Sequence, residues 1–261
     1  MKTFIFLIST FSLLLNPLFG QDDYTVIKVN GTIIIKNNGI SLETGTIFSG
    51  KEDLLFKTND ANAAVINPVR GRMVLTSDNN NLTLAKSNFL PAMYNISSRA
   101  GAMVNLLDLQ NHFKGKLVIV DNLNLPVNSK NFPMDDNHFF FLRYKFKGED
   151  INKKLNFLGD TLIIDRKSLY AIDGSPIPNP DYTLIKLFYR KGTESELINE
   201  FDLIFPDVNL LKNEVQIILN GMKDKTEKEK IGEVTAYINE VYGKPDQDNL
   251  NSWLNTQFGL K

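Results

Sequence analysis

The spacing of apolar residues changes once along this chain, and that change bounds what it can fold into. From Tyr24 to Tyr189 the apolar residues come mostly in short runs, rich in β-branched and aromatic side chains and closed by Gly, Asn, Asp or Pro. After Asp207 they recur every three or four residues. The first pattern suits short strands separated by turns. The second suits amphipathic helices with one apolar stripe. The sequence therefore predicts an α+β protein: a small N-terminal all-β domain, then a mixed β-sheet domain that ends in helices.

The β pattern starts with Tyr24-Thr25-Val26-Ile27-Lys28-Val29 and Thr32-Ile33-Ile34-Ile35-Lys36, joined by Asn30-Gly31. Asn-Gly is a strong two-residue hairpin signal, so these two runs are expected to pair. Asn37-Asn38-Gly39 closes the second run. Leu54-Leu55-Phe56-Lys57, Ala63-Ala64-Val65-Ile66 and Gly71-Arg72-Met73-Val74-Leu75-Thr76 follow, with Asn67-Pro68 as a turn. Such spacing predicts a small barrel or sandwich over residues 21–98. Residues 77–115 are a transition, in which Pro91 interrupts an apolar run and residues 102–112 fit a short helix burying Leu106, Leu107 and Leu109.

Val29-x-Gly31, Gly39, Leu42-x-x-Gly45, Leu55, Phe56, Ala61-x-Ala63, Gly71 and Leu75 fall in an order that resembles the β-rich domain of the FecR family. The resemblance covers residues 24–76 and rests on glycine and apolar spacing. It implies a sensing or scaffolding module of the bacterial envelope and carries no catalytic residues.

A second domain is expected over residues 113–261. Leu117-Val118-Ile119-Val120 reads as a fully buried strand. Residues 139–147, 162–165, 169–172 and 183–189 read as further strands, while Pro176, Pro178 and Pro180 keep the loop after Asp173-Gly174 out of helix. Asp207 is placed to cap a helix carrying Leu211, Val215 and Ile218 and stopping at Gly221. A second helix carries Ile231, Val234, Ile238 and Val241. A third begins near Asp248 and gathers Leu250, Trp253, Leu254 and Phe258. All three are expected to pack on the preceding sheet.

The first twenty residues differ from the rest. Lys2 precedes an apolar run from Phe4 to Leu15, Asn16-Pro17 breaks it, and Leu18-Phe19-Gly20 leads to Gln21-Asp22-Asp23. This is the layout of a secretory signal peptide, shorter than the ~20 apolar residues of a membrane span. Cleavage is expected between Gly20 and Gln21, giving an exported chain, periplasmic or secreted, with no transmembrane segment. The chain has no cysteine, so neither disulfides nor thiolate metal sites hold it together. Removing the leader takes away Lys2 alone, leaving 28 Lys+Arg against 30 Asp+Glu. That balance argues against nucleic acid, which demands a strongly basic face.

Candidate chemistry is sparse. The two histidines are His112 and His138. Asp135, Asp136 and His138 form an acidic cluster before the Phe139 strand, readable as a metal half-site or acid–base pair, or as a turn built by Asp side chains bonding their own backbone. The turn is the expectation. Asp160, Asp165 and Asp173 recur at strand ends, where paired carboxylates would suit a hydrolase. The aromatic group Phe139, Phe140, Phe141, Tyr144 and Phe146 is expected to pack a core, with a ligand groove as its alternative use. No phosphate loop, nucleophile elbow or dinucleotide motif occurs, and no cofactor is expected. These readings favour a non-enzymatic binding or scaffolding protein with a protein or glycan partner. The alternatives are a hydrolase using Asp135, Asp136 or Asp165, and a subunit active only in a complex.

Overall fold

The computed structural model describes residues 22–77, 87–91, 103–178 and 180–261. The signal-peptide reading of residues 1–20 and the expected cleavage point lie outside the described residues. The N-terminal part contains β1 (Asp23–Asn30), β2 (Ile33–Ile35), β3 (Ile47–Ser49), β4 (Leu54–Phe56), β5 (Asn62–Asn67), β6 (Gly71–Ser77) and β7 (Ser87–Pro91). The middle part contains α1 (Leu106–His112), β8 (Lys116–Val118), β9 (Asn122–Pro126), β10 (His138–Phe146), β11 (Glu149–Lys154), β12 (Asn156–Leu158), β13 (Thr161–Asp165), α2 (Arg166–Leu169), β14 (Ala171–Ile172), β15 (Ser175–Pro176), β16 (Leu184–Lys191) and β17 (Glu194–Ile204). The chain ends with α3 (Val208–Gly221), α4 (Glu227–Val241), β18 (Lys244–Pro245) and α5 (Gln247–Phe258). The α+β class expected from the sequence is the class observed, with helices at the C-terminus.

The first sheet is antiparallel in the order β3-β1-β5-β6-β7, and β2 pairs with β4 in a separate ribbon. The expected β1–β2 hairpin does not form. Gly31, at φ +72°, instead turns the chain out of the first sheet into the ribbon. A methyl group at Gly31 would stand 2.3 Å from Thr58 Oγ1, so this glycine is needed for close approach as well as for its backbone angle. The ribbon's Ile33, Ile35, Leu54 and Phe56 pack on Val26, Val65 and Leu75 of the sheet. Strand β7 lies where Pro91 interrupts an apolar run. It pairs with β6 and forms the end of the sheet, the position where a strand tolerates proline.

The opposite face of that sheet meets the helices. A bulge between Val26 and Lys28 leaves Ile27 and Lys28 both on the helical side. Ile27 joins Ala64 and Ile66 in one core with Leu211, Val215, Ile218, Val234 and Ile238. Helix α3 therefore packs directly on β1 and β5 of the first sheet, and α4 and α5 close the same core with Val118 and Val120.

Their starts follow sequence logic. Asp207 accepts from the Asn209 and Leu210 amides, Thr226 and Glu229 form a reciprocal capping box, and Asp246 accepts from the Asn249 amide, each cap contributing about 1 kcal/mol. Helix α1 starts at Leu106, capped by Asn105. Leu109 is buried, but Leu107 is exposed. A two-turn helix presents one narrow stripe, and Leu107 lies about 100° from Leu106 around its axis.

The second sheet runs β11-β10-β16-β17-β8-β18, antiparallel up to β17 and parallel across β17, β8 and β18. Residues 117–120 are fully buried, as their unbroken apolar run requires, and they serve two cores. Leu117 and Ile119 face a core formed with β9, β10, β13, β16 and β17. Val118 and Val120 face the helices. Asn249 fastens α5 here: its side chain accepts from the Val120 amide and donates to the Val120 carbonyl, both at 2.9 Å.

Candidate functional site

Strands β10 and β16 are neighbours, and their side chains alternate between two faces. Phe140, Leu142, Tyr144, Ile185, Leu187 and Tyr189 turn inward to the core. Phe139, Phe141, Arg143, Leu184, Lys186, Phe188 and Arg190 occupy the other face. The aromatic group read from the sequence is thus divided: Phe140 and Tyr144 pack the core with Phe146 against it, while Phe139 and the buried Phe141 lie on the other face.

The outer face is a ladder of rings and cations. Phe141 and Phe188 are cross-strand partners and stack at 4.9 Å with their planes 5° apart. Phe139 lies 6.3 Å from Phe141. The Arg143 guanidinium covers Phe188 at 4.8 Å, Lys154 covers Phe139 at 4.6 Å, and Arg190 lies 5.9 Å from Phe139. Such cation–ring contacts contribute about 0.5–1 kcal/mol each at exposed positions. One step along the strands, Arg143 stands directly opposite Lys186. Like charges facing each other across a strand pair are unfavourable. Lys186 answers to Glu200 at 3.1 Å and Lys145 to Asp150 at 3.0 Å, and the Lys145 ammonium holds the Asp150 carboxyl below its ordinary range.

A cleft of about 400 Å³ opens on this face, lined by Arg143, Lys145 and Lys186, by the carboxylates Asp150 and Glu200, and by Tyr182, Leu184, Phe188 and Leu197. Tyr182 is 65 % exposed and Leu184 and Leu197 are each 47 % exposed. Three large apolar side chains gathered beside a half-buried ring make a patch, not scattered surface residues.

The residues singled out from the sequence lie at one end of this face. Asp135 builds the turn that starts β10: its Oδ1 accepts from the Asn137 and His138 amides at 2.7 Å, and its carboxylate lies 3.0 Å from His138 Nδ1. The His138 ring and the Asn137 amide hold the Asp135 carboxyl below its usual range. Asp136 is exposed and pairs with Lys154 at 3.3 Å. Asp165 is elsewhere, capping α2 through the Lys167 and Ser168 amides. Asp173 occupies a left-handed turn before Gly174. Among the described residues no three His, Cys, Asp or Glu side chains gather to hold a metal ion.

Sequence reasoning missed Arg143, Leu184, Phe188, Arg190 and Leu197. A signal was present: alternation along residues 184–190 puts Leu184 and Phe188 on the same face as Lys186 and Arg190, so the polar face of that strand carries two large apolar side chains.

The other dense polar group is buried between layers and serves to join them. Glu214, on α3, accepts from Lys28 at 3.0 Å and from the Tyr237 and Tyr242 hydroxyls at 2.9 and 2.7 Å. Burial and the Glu214 carboxylate push both tyrosines well above the ordinary phenol range. Arg72, fully buried on β6, donates to Glu233 at 2.5 Å and to Glu240 at 2.6 Å on α4.

No protein-family model matches the chain, and no curated protein matches it. Among solved structures, the chain is similar to the N-terminal four Ig domains of Dscam1 isoform 6.9, at 13 % identity and a TM-score of 0.22. The match covers 72 % of this chain and 46 % of that one, so the chain spans less than half of its length. A superposition this loose assigns neither fold nor function.

Proposed function

We propose that this chain is an exported, non-enzymatic binding or scaffolding protein that seats a partner on the outer face of strands β10, β16 and β17. One observation carries the reading: Tyr182, Leu184 and Leu197 are exposed together beside Phe188 and Arg143, over a cleft, on a rigid sheet. Aromatic, arginine and aliphatic side chains in one desolvatable patch are the composition of an interaction hot spot. The leader-like first twenty residues support export, and the FecR-like spacing of residues 24–76 supports an envelope role. No helix among the described residues is long and apolar enough to cross a membrane.

Affinity purification of the tagged chain from its own host tests the reading. Leu197→Asp and Phe188→Ser should each release the co-purifying partner while Trp253 emission stays native. A partner retained by both folded variants would refute the assignment of this face.

A further inference from the structure

The geometry points to the chemistry of the partner, resting on the binding-face reading above: an acidic segment of another protein, with carboxylates flanking an apolar side chain. Two arginines of this face form no ion pair of their own. Arg70 meets Asp22, and Arg72 meets Glu233 and Glu240. Arg143 and Arg190 do neither. Arg143 Nε donates to the neutral Asn152 side chain at 2.7 Å, and Arg190 Nε donates to the Gly192 carbonyl at 2.8 Å. Neither forms an ion pair within 4 Å among the described residues, although the Asp150 carboxylate, paired with Lys145, also feels the Arg143 charge.

Both guanidinium groups are therefore positioned through Nε and a ring, leaving their terminal nitrogens to an external acceptor. A planar fork held this way suits a carboxylate taken in bidentate fashion. Arg143 faces Lys186, and Arg190 lies four residues further along the same strand, so the backbone positions of the two arginines are about 14 Å apart along the sheet. Phe188 lies between them. An extended segment places residues i and i+4 at about that separation, with the central side chain against Leu197. Lys186 is already answered by Glu200 at 3.1 Å, so the carboxylate of such a ligand falls to Arg143.

The test is a random dodecapeptide phage library panned on the purified full chain, with selected peptides resynthesised and titrated. The expected peptides carry Asp or Glu on both sides of an apolar residue. Arg143→Gln and Arg190→Gln should each weaken them about tenfold, the loss of one charge-assisted contact. Lys228→Gln, on α4, should not, and a sulfated heparin oligosaccharide should compete poorly. Neutral or basic peptides that are lost on Leu197→Asp but not on either arginine change would overturn the acidic assignment while leaving the face intact. Arginine-dependent binding of the oligosaccharide with no peptide enrichment would overturn the protein source. Peptides indifferent to Leu197→Asp would overturn both this inference and the binding face beneath it.

Discussion

Lys28 Nζ stands 3.0 Å from Glu214 Oε1, tying the first strand of the chain to a helix 186 residues later. With Arg72 on Glu233, it carries a polar bond across the layer where the first sheet meets the helices. A buried ion pair is costly to form, because desolvation offsets much of the attraction, and costlier to break one-sidedly. Arg72→Met removes the buried guanidinium that Glu233 and Glu240 share and should lose about 3–5 kcal/mol. Lys28→Met leaves Glu214 its two tyrosine hydroxyls and should lose about 1–2 kcal/mol. Urea unfolding followed by the emission of Trp253, the sole tryptophan, measures both. Equal losses would show that Arg72 is not the dominant clamp.

Gly31 and Gly39 share a φ of +72° but differ in surroundings. A methyl at Gly39 meets nothing within 4 Å, whereas at Gly31 it collides with Thr58 and Ala61. Gly39→Ala should cost about 1 kcal/mol for the left-handed backbone alone. Gly31→Ala should cost clearly more, and Thr58→Ala should recover part of the difference. Thermal midpoints of the three variants check this order.

His112 is buried at the end of α1, near Lys244 and 3.7 Å from Asp246. Burial, helped by the Lys244 charge, holds its imidazole down to about 4. The unfolded chain takes up this proton near pH 6.5 and the fold does not until about pH 4. Stability from this site is therefore full above pH 6.5 and lost as pH falls toward 4, by up to about 3 kcal/mol. Asp246 works in the opposite direction, since burial raises its carboxyl and the fold accepts that proton early. His112→Phe should flatten the stability profile between pH 6.5 and 4. An unchanged slope would place the titration elsewhere.

Period and punctuation made much of the fold legible. Asp207, Gly221 and the stripes through Leu211, Val234 and Leu250 mark the helices, and the run at 117–120 marks a buried strand. What stayed hidden were long-range choices. Asn30-Gly31 reads as a hairpin because local turn chemistry allows one, yet the collision space around Thr58 and Ala61 decides the pairing, and those residues lie 27 or more positions away. The outer face of β10 and β16 was hidden for a related reason. Strand alternation alone sends Phe139 and Phe141 to one surface and Phe140 to the other, but only the β10–β16 register sets Phe188 against Phe141. Asp135 and His138 were visible as a cluster, and their contacts are those of a turn.

The most direct test of the binding face is site-specific photo-crosslinking in the native host. A benzophenone side chain would replace Leu197 on the sheet face in one strain and Leu210 on α3, 59 % exposed, in another. The account predicts a discrete crosslinked protein from position 197 and none from position 210. The same adduct from both positions, or an adduct from 210 alone, would contradict it.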